Sequence, residues 1–304
     1  MAEMFRSLPD VAEVTWVRGD AAGDAAPTLL LEVPHGATRA ADFDAMRAAL
    51  RGDYAADLRD FFFVNTDVGA PELALAIAGE WVAAMPSRTA LVVRCLMPRT
   101  FLDTNRVVDP AAAARASSAG EMTPGLMPWV VDEHDRALLL ERYAAYRQLT
   151  TAAFDAVCGA GGRGLCVHSY APRSVEVAVD HDIVGSLRAA YAPDRVSNWA
   201  LRSPVDLITD APDGAVLADA ALVAAVEREL GARQVAVARN GTYALHPSTM
   251  AFLHAQRHLG RTLCFEARRD LLCDFVPFVE LAVDEARVAG LAAPFVRALL
   301  EVLR

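Results

Sequence analysis

Lysine is absent from this 304-residue chain, so all 29 of its strongly basic side chains are arginine. Any site that grips an anion must therefore use guanidinium groups, planar forks suited to bidentate carboxylate recognition. Acidic residues outnumber basic ones, 39 to 29, giving a net charge of −10. With no basic arm or stripe in addition, nucleic acid is not an expected partner. Paired Cys-x-x-Cys spacing is missing too. The five cysteines (Cys95, Cys158, Cys166, Cys264 and Cys273) are odd in number, and three of them fall in apolar, strand-like runs. That pattern argues against a disulfide framework or a cysteine-zinc site and for a reducing compartment. No apolar run approaches the ~20 residues of a membrane-spanning helix, and residues 1–10 carry acids and a proline instead of an apolar h-region. The expectation is a cytoplasmic protein with no membrane partner.

What is present reads as globular: 54% of residues are apolar and 22% charged, a balance that supports a full core. No repeat or linker divides the chain, so one domain spanning 1–304 is expected. Residues 1–27 form a lead-in segment with a possible edge strand at 14–17. Apolar runs at 28–33, 89–95, 165–167, 234–238 and 262–265 read as strands. Helical patterns cover 40–51, 54–60 running into Phe61-Phe62-Phe63-Val64, 71–84, 133–157, 182–191, 217–230, 249–258 with Ser248 as its cap, and 277–304 with an interruption near Pro294. Residues 109–130 have no clear period and read as a long loop or lid, and 194–214 as a polar loop. Strands alternating with helices, with polar residues at the strand exits, predict an α/β fold: a mixed, mostly parallel central sheet covered by helices on both faces.

The strand exits carry the chemistry. Pro34 and Gly36 stop the first buried run, and His35 lies between them, where open α/β sheets place their ligands. Other exits present Asp67 after Asn65-Thr66, Arg99 with Asp103-Thr104-Asn105-Arg106, His168 before Ser169-Tyr170, and Glu266 after 262–265. Two histidines and one carboxylate meet the three-ligand requirement of a hydrolytic zinc site, and a second carboxylate is then free to act as base. No helical His-Glu-x-x-His exists, so such a site must be assembled from separate strand ends. Each residue also has a structural reading. His35 could be satisfied by a carbonyl, Asp67 could cap the helix at 71–84, Asp103 and Arg106 could close a turn as an ion pair, and Glu266 could pair with Arg268 or Arg269. His134, His181, His254 and His258 have no evident partners.

The order of Pro34-His35-Gly36, Asn65-Thr66-Asp67, Arg99 through Arg106, His168-Ser169 and Asn240-Gly241 resembles the N-formylglutamate amidohydrolase family. That family is related to zinc carboxypeptidases and aspartoacylase-like deacylases, and the likeness spans roughly 28–270. His168-Ser169-Tyr170 and Phe265-Glu266-Ala267-Arg268 are similar to the carboxypeptidase segments that hold the last zinc histidine and the catalytic glutamate. The resemblance implies a zinc-exopeptidase-like (phosphorylase/hydrolase-like) fold with one Zn2+ per chain on His35, Asp67 and His168. It implies Glu266 as the base, and Arg99, Asn105 and Arg106 holding a substrate carboxylate. Arg173, Asn240, Tyr243 and His246 are further candidates for the substrate pocket. Two departures stand out. Thr38 occupies the position of the carboxypeptidase zinc glutamate, with Glu32 and Glu72 as reserve ligands, and Val68 stands where the family commonly has Trp. The implied activity is amide hydrolysis of a small N-acyl amino acid, with N-formylglutamate foremost. The alternatives are a carboxypeptidase or deacylase acting on a peptide or natural-product amide, and a non-catalytic binding protein on the same fold.

Overall fold

The computed structural model describes residues 5–108 and 124–303. A seven-stranded sheet runs through it in the order β1-β3-β2-β4-β7-β5-β6. The strands are β1 (Ala12–Arg18), β2 (Pro27–Val33), β3 (Thr89–Cys95), β4 (Arg163–Tyr170), β5 (Val205–Ile208), β6 (Val237–Arg239) and β7 (Thr262–Arg268). The central β3, β2, β4 and β7 are mutually parallel, whereas β1 joins β3 and β5 joins β7 antiparallel. The helices are α1 (Ala40–Ala49), α2 (Leu58–Asn65), α3 (Ala70–Ala84), α4 (Glu133–Cys158), α5 (Ile183–Ala190), α6 (Ala220–Gly231), α7 (Met250–Arg257) and α8 (Glu285–Val302). The predicted mixed, mostly parallel single-domain α/β fold is what forms.

Period-two alternation sorts each central strand between two cores. Leu29, Leu31, Val33, Val92, Leu165, Val167, Leu263 and Phe265 face one layer, made with Leu73, Trp81, Val226 and Phe295 from α3, α6 and α8. Leu30, Leu91, Val93, Cys166 and Cys264 face the other, with Phe43, Phe62, Tyr146 and Phe154 from α1, α2 and α4. With Cys166 and Cys264 on the second face, alternation puts His168 and Glu266 on that face too, and the strand register sets them side by side. All five cysteines are buried and free. By length and composition Leu58–Ala84 could cross a membrane, but it is two helices, and 78% of its most apolar window is buried inside the protein.

Several expectations needed correction. The segment read as a polar loop at 194–214 contains β5. Pro204 and Asp206 break its apolar run, leaving four residues that hold together only because β7 and β6 flank them. Glu266 lies within β7, which runs on to Arg268, not at its end. The last helix begins at Glu285, capped by Asp284, and not at 277. Pro294 sits inside that helix without breaking it: the carbonyl it would leave unpaired, that of Gly290, accepts Arg233 Nη1 at 2.6 Å. Helix α7 is capped by Thr249, whose Oγ1 accepts the Phe252 N–H at 3.1 Å, not by Ser248. Of the expected loop at 109–130, residues 109–123 lie outside the described residues. The remainder packs inward, with Met127, Trp129 and Val130 buried and Trp129 Nε1 donating to the Thr100 carbonyl.

Candidate metal and substrate site

His35 leaves β2 in a turn that only glycine permits. A Cβ on Gly36 would lie 2.6 Å from Arg94 Cγ, and the Gly36 carbonyl accepts Arg94 Nε at 2.8 Å. Thr104 Oγ1 ties down the preceding Pro34 carbonyl at 2.6 Å. Asp67 comes from the α2–α3 connection. It does not cap α3, whose N-cap is Gly69 at φ 84°, and a Cβ on Gly69 would meet Leu272 at 2.7 Å. Its carboxylate turns instead to the sheet, where it accepts the Ser169 N–H at 3.3 Å, and Ser169 Oγ donates to the Val68 carbonyl.

Three ligand-type atoms meet there. His35 Nδ1 and His168 Nδ1 stand 3.2 and 3.0 Å from Asp67 Oδ2 and 3.3 Å from each other. All three residues are buried, and among the described residues they form the group able to hold a metal ion. Tetrahedral bonds of ~2.0–2.1 Å to nitrogen and oxygen place neighbouring ligands about 3.3 Å apart, so this triangle fits one small divalent cation. The donor chemistry fits as well, because lone pairs crowded at these distances need a proton or a cation between them. Burial would lower the His168 imidazole, yet Asp67 raises it well above its usual value. Burial likewise opposes ionisation of Asp67, but the His35 charge and hydrogen bonds from both histidines hold it low.

Asp103, read from the sequence only as a turn-closing partner of Arg106, also supports His35. Fully buried, it accepts His35 Nε2 at 2.8 Å on Oδ1 and Arg99 Nε at 2.9 Å on Oδ2, with Arg106 Nε at 3.9 Å and the Asn105 N–H on Oδ1. Burial works against its ionisation, and Arg99 and Arg106 reverse that, keeping the carboxyl well below the usual range. An ionised Asp103 can only accept, so Nε2 of His35 carries the proton and Nδ1 is turned toward Asp67 and His168. That is how an outer carboxylate fixes a metal-ligating histidine.

Glu266 follows His168 across the β4–β7 ladder. Burial, with Asp67 and the Cys264 thiol adding to it, pushes its carboxyl up to about 8 against the pull of His168, and its Oε2 has no hydrogen-bond partner. Two cavities meet at this carboxylate. The smaller, of about 480 Å³, is lined by His35, His168, Asn105 and Arg106; the larger, of about 870 Å³, opens beyond Asp67. Arg99, Tyr243 and Glu266 line both.

The remaining candidates separate. Arg173 lines the larger cavity, its Nη1 held by the carbonyls of Trp199 and Ser197. Asn240 does not reach the site: its Oδ1 accepts the Thr209 and Asp210 N–H groups and its Nδ2 donates to Thr209, so it braces the end of β5. His246 lines neither cavity, and its Nδ1 lies 2.7 Å from Ser248 Oγ. The reserve ligands are bonded elsewhere, Glu32 accepting Tyr146 Oη at 3.0 Å beside Cys166 and Glu72 facing Arg39. Asp206, which residue patterns had not marked, accepts the N–H groups of Gly241 and Thr242 and so sets the turn that presents Tyr243.

No family model matches the chain, and no curated protein matches it. Among solved structures it resembles N-formylglutamate amidohydrolase from Ralstonia eutropha JMP134, at 21% identity and a TM-score of 0.55, over 95% of this chain and 96% of that one. It also resembles the gene product Atu2144 from Agrobacterium tumefaciens, at 16% identity and a TM-score of 0.54, over 100% of this chain and 97% of that one. At these identities the likeness is one of fold: over nearly its whole length, the chain shares the α/β fold of an amidohydrolase as a distant structural relative.

Proposed function

We propose that this protein is a zinc-dependent amidohydrolase that cleaves a small N-acyl amino acid. N-formylglutamate, the compound named in its structural neighbour from Ralstonia eutropha, is the first candidate substrate. One observation carries the reading: the His35–Asp67–His168 triangle stands beside a buried, unpartnered Glu266 and a strip of arginines. In this reading those three side chains hold one ion per chain. When bound, zinc would acidify a water and polarise the amide carbonyl.

The chain's own residues supply the rest. Glu266, poised by burial near neutral pH, takes the proton from the attacking water and delivers it to the leaving amine, a transfer worth ~10²–10⁴-fold in rate. Arg106 and Asn105, in the smaller cavity, grip the substrate carboxylate, with Arg99 at the junction of the two cavities. Charge-assisted and neutral donors together orient the amide toward Glu266. Tyr243 also lines the junction.

The test is formate release from N-formylglutamate by the protein before and after zinc loading. Zinc-dependent release is expected. Zinc-loaded protein inert toward N-acyl amino acids and peptides alike would contradict hydrolysis and favour a binding role on the same fold. A deacylase or carboxypeptidase is the second reading, favoured by the size of the larger cavity.

A further inference from the structure

The larger cavity is built for more than a formyl group. Val175, Val177 and Val179 are each partly buried, while Glu176, Ala178 and Asp180, which alternate with them, are exposed. The three valines line the cavity with Phe61 from α2 and Ile183 and Leu187 from α5. The space of about 870 Å³, part of it open to solvent, far exceeds the two heavy atoms of a formyl group.

The arrangement of the two cavities assigns the direction. Asn105 and Arg106 line only the smaller one; Arg99, Tyr243 and Glu266 line both. A substrate whose carboxylate lies at Asn105 and Arg106, and whose amide lies at Glu266, sends its acyl group one way, into the valine-lined space. Four arginines also line this cavity: Arg99 pairs with Asp103, and Arg269 donates Nη1 to the Val64 carbonyl while its buried Nε has no hydrogen-bond partner. Arg173 is held by main-chain carbonyls, and Arg202 bonds Ser174 Oγ and the Ala171 carbonyl while stacking 5.0 Å from the Tyr170 ring centroid.

We infer that the preferred substrate is an N-acyl amino acid with a bulky apolar acyl group, of six or more carbons or arylacyl, seated against Val175, Val177, Val179, Ile183 and Leu187. The inference rests on the amidohydrolase reading above and names its substrate class.

The test is kcat/KM of the zinc-loaded protein for formyl-, acetyl-, butanoyl-, hexanoyl-, phenylacetyl- and succinyl-glutamate. A rise of about fourfold per methylene buried is expected along the straight-chain members, with hexanoyl and phenylacetyl well above formyl. Val177→Asp should lower the hexanoyl-to-formyl ratio at least tenfold. Calorimetry with N-hexyl- and N-methylglutamate, which contain no amide to cleave, should give a more negative heat-capacity change for the hexyl compound. Formyl as the best substrate, or succinyl above hexanoyl, overturns this inference and leaves the amidohydrolase reading standing. Hydrolysis of no member of the series overturns both.

Discussion

His35 Nε2 lies 2.8 Å from Asp103 Oδ1, and the same carboxylate accepts Arg99 Nε at 2.9 Å through its other oxygen. One buried acid therefore fixes the tautomer of a ligand-type histidine and anchors an arginine of the cavity wall. In the proposed function, the metal ligands and the arginines that grip the substrate carboxylate are coupled through it.

Asp103→Asn keeps the volume and removes the charge. The amide no longer forces the proton onto Nε2 of His35, and Arg99 loses its counter-charge. Zinc affinity should fall 10–100-fold, the usual cost of losing such an outer partner, as read by competition with a chelating dye. Unchanged affinity would show that the His35–Asp103 bond does not orient the ligand.

Glu266→Gln separates binding from turnover. Because Glu266 is outside the three-residue metal group, zinc content should remain at one per chain while turnover drops ~10²–10⁴-fold. Elemental analysis and a steady-state assay on the same sample decide it. Loss of zinc along with activity would move Glu266 into the metal shell.

His254 makes acid stability predictable. Burial, with the nearby His258 charge, pushes its imidazole down to about 3, and the ring stacks on Phe154 at 4.1 Å between centroids. The unfolded chain takes up this proton below about 6.5 and the folded chain only near 3, so the group costs stability as pH falls through that window. At pH 5 the cost is about 2 kcal/mol. His254→Phe, which keeps a ring on Phe154, should shrink the difference in unfolding free energy between pH 7.5 and 5.0 by about that amount in urea titrations. The same difference in both proteins would contradict a buried neutral imidazole.

The central strands were legible because each is a short apolar run stopped by a polar residue. His35 could be picked out for the same reason, whereas the run before Asp67 is helix α2, and His168 and Glu266 lie inside β4 and β7 and not at their exits. β5 was hidden by its own composition: Pro204 and Asp206 interrupt four residues whose strand state depends on β7 beside them. Pro294 reads as a helix breaker until Arg233 is seen to satisfy the freed carbonyl from a distant helix end. Asp103 and Asp206 illustrate the same limit at the site. Their partners, His35 and the Gly241–Thr242 turn, are 68 and 35–36 residues away, so their roles are properties of the fold and not of any local pattern. Asn240 errs the other way: an Asn-Gly pair in a family-like order marks a turn here, and its amide is used to brace the end of β5.

The proposed function stands on His35, Asp67 and His168 holding one ion. Metal content by plasma mass spectrometry, after zinc loading and exhaustive dialysis, tests it most directly, with wild type compared against His168→Ala. One zinc per wild-type chain and a large loss in the variant are expected, with folding of both confirmed by circular dichroism. A folded wild type that retains no zinc, or a folded variant that retains a full equivalent, would contradict it.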